Sequence, residues 1–313
     1  MPRNQRQKIV VIVGPTASGK SDLGIFLTQK FDGEIISADS RQVYRGMDIG
    51  TGKINKKEQR IIKHHLLDVA NPKKVFTVSD FKKLGQEAIN NIQCRYKIPI
   101  IVGGTGFYID VLLDRMTIAE VSPNKKLRAK LEKQSAEQLL KRLRKIDPER
   151  AGNIDTKNKR RIIRALEIVL TTKKPNPKPL NLYRDRILNS DVLFLGIAIS
   201  LEILKKKIKM RLDNRLKQGM VREVVKLHKQ GVGWKRLDDF GLEYRQISRW
   251  LKNSKRKQKQ SFSNSQEYKN LLRDIIKYSK RQMTWFKRNK DIHWVKNRNG
   301  AEKLIKKFIS PFP

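Results

Sequence analysis

The chain has little cysteine, little acid and no long apolar run, and each shortage narrows what it can be. A single cysteine, Cys94, in 313 residues excludes an internal disulfide and any multi-cysteine metal site, and with only four histidines a zinc site is not expected. That usage fits a reducing compartment, so a cytoplasmic location is expected. No stretch approaches the roughly 20 apolar residues that cross a bilayer, and Met1-Pro2-Arg3-Asn4-Gln5-Arg6 lacks the apolar segment of a signal peptide, so no membrane partner is expected. Acidic residues number 30 against 71 Lys and Arg, a net charge of +41 spread along the chain. Self-repulsion on that scale opposes compaction unless a polyanion offsets it, so the composition points to nucleic acid; a genome-wide bias toward lysine is the bland alternative.

Hydrophobic residues make up 38% of the chain, enough for a core, and the length suits one large domain or two modest ones. Lys8 to Val13 is a β-branched apolar run ending at Gly14, the pattern of a buried parallel strand entering a glycine turn, and a helix is expected from about Lys20. Ile35-Ile36-Ser37-Ala38 predicts a second strand, and Ile98-Pro99-Ile100-Ile101-Val102 a third that runs into Gly103-Gly104-Thr105-Gly106. Strands alternating with helical stretches indicate an α/β fold with a parallel sheet flanked by helices, whose ligands sit at the carboxyl ends of the strands. The glycines fall at those ends.

From about Met116 to Asn189 the sequence turns charged and helix-periodic, as in Leu127-Arg128-Ala129-Lys130-Leu131, and closes on Lys174-Pro175-Asn176-Pro177-Lys178-Pro179, which must be extended. An inserted all-helical subdomain over 116–189 is therefore expected within a core made of 1–115 and 190–313. Val192 to Ile199 predicts a strand returning to the sheet. The remainder should be mainly helical, broken at Gly231 to Gly241 and at the polar run Asn253 to Ser265.

Gly14-Pro15-Thr16-Ala17-Ser18-Gly19-Lys20-Ser21 matches G-x-x-x-x-G-K-[ST] after a strand and opening a helix, the context of a P-loop NTPase-like fold. The glycines let backbone N–H groups converge on phosphate oxygens, Lys20 neutralises charge, and the Ser21 hydroxyl can hold Mg²⁺. An ordinary tight strand-to-helix turn is the structural alternative. An ATPase would place an acid at the end of a second strand to organise Mg²⁺. The strand after Ile98 ends instead in glycines and Thr105, and Asp39 follows the Ile35 strand in the setting Ser37-Ala38-Asp39-Ser40-Arg41-Gln42-Val43-Tyr44, so ATP hydrolysis is not the natural reading.

At these residues the chain closely resembles the bacterial tRNA dimethylallyltransferases. The matching segments are Gly14 to Ser21, Ala38 to Thr51, His64-His65-Leu66-Leu67-Asp68, Gly103 to Tyr108, Arg160 to Glu167 and Lys280 to Phe286, in the family order and over nearly the whole chain. The resemblance implies transfer of a dimethylallyl group from dimethylallyl diphosphate to N6 of the adenosine just 3′ of the anticodon, in tRNAs reading codons that start with U, with diphosphate as leaving group. It makes Asp39 the general base, puts Thr16 at the bridging oxygen of the donor, and makes Arg215, with Arg211 a helical turn earlier, a diphosphate contact. The residues alone leave Asp39 equally open as a helix N-cap or Mg²⁺ ligand, and Arg215 as part of a solvated helix face. Mg²⁺ is the expected cofactor, the tRNA anticodon stem-loop the partner, and a monomer the expected state.

A base inside a stem-loop must leave its stack to reach an enclosed site. The resemblance places Asp39, Ser40, Arg41 and Gln42 at the flipped adenosine and Thr105 beside it. It assigns further RNA contacts to Arg128, to Arg160, Arg161, Ile162, Ile163 and Arg164, and to Lys280, Arg281, Gln282, Met283, Thr284, Trp285, Phe286 and Lys287. Trp285 and Phe286 could stack bases, yet their helical spacing with Ile275, Ile276 and Tyr278 favours core packing. The chain departs from the family in its late glycine segment, where G-Y-[KR]-[EQ] is replaced by Gly241-Leu242-Glu243-Tyr244-Arg245-Gln246. Eukaryotic relatives add a C-terminal zinc finger, which one cysteine cannot form, so a bacterial-type enzyme is expected. A phosphate-loop small-molecule kinase would explain the glycine loop but not the charge; a non-catalytic RNA-binding protein would explain the charge but leave the site motifs idle.

Overall fold

Strands β1 (Gln7–Val13), β2 (Gly33–Ala38), β3 (His64–His65), β4 (Ile98–Gly103), β5 (Ser190–Ile197) and β6 (Ile292–Val295) form one sheet in the order β3-β2-β4-β1-β5-β6. Every pairing is parallel. The computed structural model describes residues 7–177, 190–253 and 261–310. Clustering of the chain gives two compact units, Met1–Leu113 with Ile187–Pro313, and Asp114–Arg186.

The apolar run of β1 is continuous because both of its faces are covered. Ile9, Val11 and Val13 point into one core and Val10 and Ile12 into another, all with no more than 1% exposed. Each such side chain contributes about 1.5–3 kcal/mol relative to remaining in water. The helices of the first unit before the insertion are α1 (Lys20–Lys30), α2 (Lys56–Ile61), α3 (Val78–Gln93) and α4 (Gly106–Leu112). In the second unit α5 (Lys125–Glu132), α6 (Ala136–Ile146), α7 (Pro148–Gly152) and α8 (Lys159–Thr172) follow, and its described residues contain no strand. The chain then adds α9 (Leu201–Lys217), α10 (Met220–Lys229), α11 (Trp234–Phe240), α12 (Leu242–Asn253), α13 (Gln266–Phe286) and α14 (Arg298–Ile309).

Helices α3 and α4, with the end of α13, cover one face of the sheet, and α1 and α14 cover the other. A third core joins α9 through α13 to Val43, Tyr44 and Met47, the residues that follow the Asp39 segment. α3 starts where Thr77 and Asp80 exchange the two hydrogen bonds of a capping box, and α6 starts at the same device made by Ser135 and Gln138.

The four expected strands are present, although the returning one spans Ser190–Ile197 and not Val192 to Ile199. Two strands were not anticipated: β3 is only His64–His65, and β6 is the four-residue edge strand Ile292-His293-Trp294-Val295. The expected break at Gly231 to Gly241 holds the short helix α11, ended by Gly241 at φ 74°. Of the segment expected to be extended, Pro175 to Pro177 form neither helix nor strand, while Lys178, Pro179 and most of the polar run after Asn253 lie outside the described residues.

Candidate active site

Because β2, β4 and β1 are neighbours in register, with Ala38 and Val13 both opposite Gly103, their carboxyl ends bring Asp39, Gly103–Gly106 and the Gly14–Ser21 loop side by side. The loop turns through left-handed conformations at Ala17 (φ 62°) and Gly19 (φ 94°). Gly19 is the N-cap of α1 and supplies no side-chain cap, so the first amides of the helix are left for an anion. The Ser18 hydroxyl is buried without a hydrogen-bond partner among the described residues. Lys20 Nζ folds back to donate to the Pro15 carbonyl at 3.3 Å. Burial, then the positive charge of Arg211, lowers its ammonium to about 8, with Arg215 adding to the effect and Asp39 opposing it. A small open pocket is lined here by Lys20, Ser21, Ser37, Asp39, Gln42 and His64, among others.

Asp39 does not cap a helix; it pins a turn. Its Oδ1 accepts from the amides of Arg41 (2.8 Å) and Gln42 (3.4 Å), and Oδ2 has no hydrogen bond among the described residues. Gln42 is spent on structure: its Oε1 accepts from Ser37 Oγ at 2.9 Å, and its Nε2 donates to the carbonyls of Thr51 (3.5 Å) and Gly52 (3.3 Å). Arg41 lies 5.8 Å over the Phe240 ring, and Ser40 is half-buried beside it.

Opposite the loop stand Arg211 and Arg215 of α9. Arg215 is buried, which removes the solvated-face reading; its Nη1 donates to Gly50 O at 3.2 Å and meets Glu243 Oε1 at 3.4 Å. Both guanidinium groups press on Gly52, where a Cβ would strike Arg215 and approach Arg211 Nη2 to 2.8 Å. Burial, then mutual repulsion with Arg215, lowers Arg211 to about 10. The Asp48–Gly52 segment that receives Arg215 is clamped from α10: Glu223 Oε2 accepts from the amides of Asp48 (2.8 Å) and Ile49 (2.7 Å), and Oε1 from that of Gly50 (3.0 Å) and from Tyr244 Oη (2.8 Å). Lys53, its side chain 2% exposed, ties the same segment to Asp48 and Asp68, each at 2.6 Å.

Helix α13 divides the residues expected to touch RNA. Gln282 is buried and locks two loops together, its Oε1 accepting from Thr16 N at 2.9 Å and its Nε2 donating to Gly104 O at 2.7 Å. Phe286 is core, and Trp285 packs on that core while donating to Asp110 Oδ2 at 2.9 Å. Gln282 corrects the expectation of RNA contact, its side chain joining elements of the fold, while Trp285 and Phe286 pack on the core as their helical spacing favoured and not as the contacts the resemblance assigned. Lys280, Arg281, Thr284 and Lys287 are exposed, with Met283 half-buried. Tyr278, four residues before Gln282, hydrogen-bonds the Thr105 side chain; burial, then the nearby Asp39, raises its phenol to about 12.

The second unit repeats this division on its own. Ile162 and Ile163 fill its core, a second correction, since neither offers surface to RNA. Glu167, fully buried, accepts from Arg128 (2.8 and 2.7 Å), from Arg164 (2.6 Å) and from the Asn124 amide (2.7 Å). Burial alone would raise that carboxyl, but these donors hold it below its usual range. Arg128 and Arg164 are therefore structural partners, while Arg160 and Arg161 are exposed.

Glu223, Glu243 and Tyr278 were not anticipated at the site. Glu243 carried one signal, an acid set into the atypical Gly241–Tyr244 segment; Glu223 carried none, being one helix acid among many. The arrangement as a whole can hold a diphosphate between a glycine loop and two arginines, with one carboxylate oxygen unengaged beside it.

Known proteins share this organisation. The family model described as IPP transferase matches residues 42–289, more than half of the chain. A tRNA dimethylallyltransferase of Alkaliphilus oremlandii is 36% identical over 315 residues, covering 98% of this chain and 97% of that protein. The solved tRNA delta(2)-isopentenylpyrophosphate transferase of Staphylococcus epidermidis superposes with a TM-score of 0.68 at 34% identity, over 97% of this chain and 98% of that one. A eukaryotic dimethylallyltransferase solved acting on tRNA gives 0.81 at 27% identity, over 98% and 80%. With its phosphate loop, its Asp39 turn and its arginine pair carried on a fold shared end to end with these proteins, the chain belongs to the IPP transferase family.

Proposed function

We infer that this chain is a tRNA dimethylallyltransferase, moving the dimethylallyl group of dimethylallyl diphosphate onto N6 of an adenosine 3′ to the anticodon. The observation that carries this reading is the Asp39 carboxylate, one oxygen of which the turn amides leave unengaged, set among Lys20, Arg211 and Arg215 at the mouth of the glycine loop. Its curated relatives act, by name, as tRNA dimethylallyltransferases.

In this reading N6 attacks C1 of the donor, the C1–O bond breaks with its electron pair passing to oxygen, and diphosphate leaves. Lys20, the arginines and the loop amides meet the charge that builds on it. The N6 lone pair is delocalised into the ring, so Asp39 assists by taking the N6 proton, a role worth ~10²–10⁴-fold. The bonds from Arg41 and Gln42 to Oδ1 fix the carboxylate and leave Oδ2 as acceptor. Thr16 meets the bridging oxygen. Mg²⁺ fits the donor set, because the Ser21 hydroxyl shares the pocket with Lys20 and this ion takes few protein oxygens, completing its shell from phosphate and water. Ser21 would hold it, and the ion would add neutralisation of the leaving diphosphate. The flipped adenosine lies against Asp39–Gln42 and Thr105, while Lys280, Arg281, Lys287, Arg160 and Arg161 grip RNA phosphates.

The test is incubation of purified protein with Mg²⁺, dimethylallyl diphosphate and unmodified tRNA, followed by nucleoside mass analysis. One adenosine carrying one dimethylallyl group is expected. ATP-dependent phosphorylation in its place would reinstate a kinase, and RNA binding with no added mass a binding module.

A further inference from the structure

The arginine pair gathers positive charge at the glycine loop. Lys20, Arg211 and Arg215 crowd one another, and the arginines cannot shed their charge by deprotonation. Asp39 offsets part of this, but one of its oxygens is engaged by the turn amides. Asp22 and Glu223 also act on the arginines, the latter with both oxygens already engaged by the Asp48–Gly50 amides and Tyr244. Glu243, in the first turn of α12 with its side chain 13% exposed, is in direct contact with Arg215. Burial raises its carboxyl above the usual range and Asp39 adds to that, while the charges of Arg215 and Arg211 favour the carboxylate. Its contact with Arg215 is a single one at 3.4 Å, longer than the 2.7–2.9 Å typical of a well-formed charged hydrogen bond and without a second prong.

We propose that Glu243 is the resident counter-anion of the diphosphate site: it neutralises Arg215 while the site is empty, and its charge limits how tightly donor and released diphosphate are held. The proposal rests on the diphosphate reading above. A diphosphate offers Arg215 and Arg211 several short oxygens and outcompetes one long carboxylate contact. Glu243 remains on α12 when it does so, and its negative charge then repels the phosphates across a partly desolvated gap. Loose retention of product follows. A merely structural ion pair behaves differently, since losing it would misplace Arg215 and weaken diphosphate binding.

The experiment is calorimetric titration of the full chain with inorganic diphosphate and Mg²⁺, comparing wild type, Arg215→Ala and Glu243→Gln, alongside melting curves with and without diphosphate. Glu243→Gln is expected to bind diphosphate about tenfold more tightly, to melt lower when empty, and to regain that loss at saturating diphosphate. Unchanged or weaker binding overturns the proposal. If wild type does not bind diphosphate, or Arg215→Ala binds as well as wild type, it is the diphosphate reading that fails. Should Glu243→Gln not fold, Glu243→Asp keeps the charge and is expected within about twofold of wild-type affinity; a tightening as large as that expected for the Gln variant would overturn the role assigned to charge.

Discussion

The two walls that face each other across the candidate site are built in opposite ways. The Gly14–Ser21 loop shapes itself: a strand ends, left-handed residues turn the chain, and a helix begins, with Gln282 as its main distant support. The Asp39–Gly52 wall has no such autonomy. Its amides are clamped by Glu223, Lys53 secures it to Asp68, and it receives Arg215 from α9. A self-shaped loop needs only the right residues in a row. A wall assembled from distant charges needs every partner in place, and its failures should propagate.

The largest effect should come from the Asp39 carboxylate. Asp39→Ala is expected to lower the single-turnover transfer rate by ~10²–10⁴-fold while leaving tRNA affinity roughly intact. A variant that retains most of its rate would remove the base role and leave the wall purely structural.

Glu223→Ala tests whether the wall depends on its remote clamp. It leaves three backbone amides and the Tyr244 hydroxyl without their common acceptor, so a loss of about 2–4 kcal/mol in denaturant unfolding is expected. Because Gly50 O receives Arg215, the Michaelis constant for the donor should rise as well. Reduced stability with unchanged donor kinetics would show that the clamp and the arginine are independent.

The same contrast explains what could be read from the residues alone. The loop and the four main strands were legible because contiguous pattern determines them, and with them the place of Asp39 at the end of β2; the role expected of Asp39 came from the resemblance alone. β3 and β6 were not: one is two residues long, and the other is a four-residue edge strand that buries Ile292 and Val295 and exposes His293 and Trp294, without the alternation of a half-buried strand. The engagement of Gln282 with Thr16 and Gly104, and the pairing of the partly exposed Arg128 and Arg164 with Glu167, were not legible, because a polar side chain's partners depend on what folds over it. Ile162, Ile163 and Phe286 show that a segment matching an RNA-contacting stretch still spends every third or fourth residue on its own core.

The loop's dependence on charge gives a pH signature. With the ammonium of Lys20 lowered to about 8 in the empty site, diphosphate binds a protonated group below that pH and must recruit a proton above it. Affinity for inorganic diphosphate should therefore be flat on the acid side and fall above pH 8, by at most about tenfold per unit. For folding the sign is opposite. The unfolded chain holds this proton more tightly, so the penalty of a charged, buried Lys20 is complete below pH 8 and relaxes toward 10.5. Titrations of Lys20→Met should lose the affinity step; a persistent step would assign it to another group.

The smallest effect separates residues that touch RNA from those that shape the surface presenting it. Arg161 is exposed on α8, whereas its neighbour Ile162 is fully buried in the core of the second unit. Arg161→Ala should weaken tRNA binding a few-fold and reduce the slope of log affinity against log salt by about one, with unfolding unchanged. Ile162→Ala should do the reverse, costing about 2–5 kcal/mol of stability through the cavity it leaves while preserving the salt slope of the folded fraction. Equal salt slopes for wild type and Arg161→Ala would mean that this arginine faces water, and that the RNA grip on the second unit belongs elsewhere.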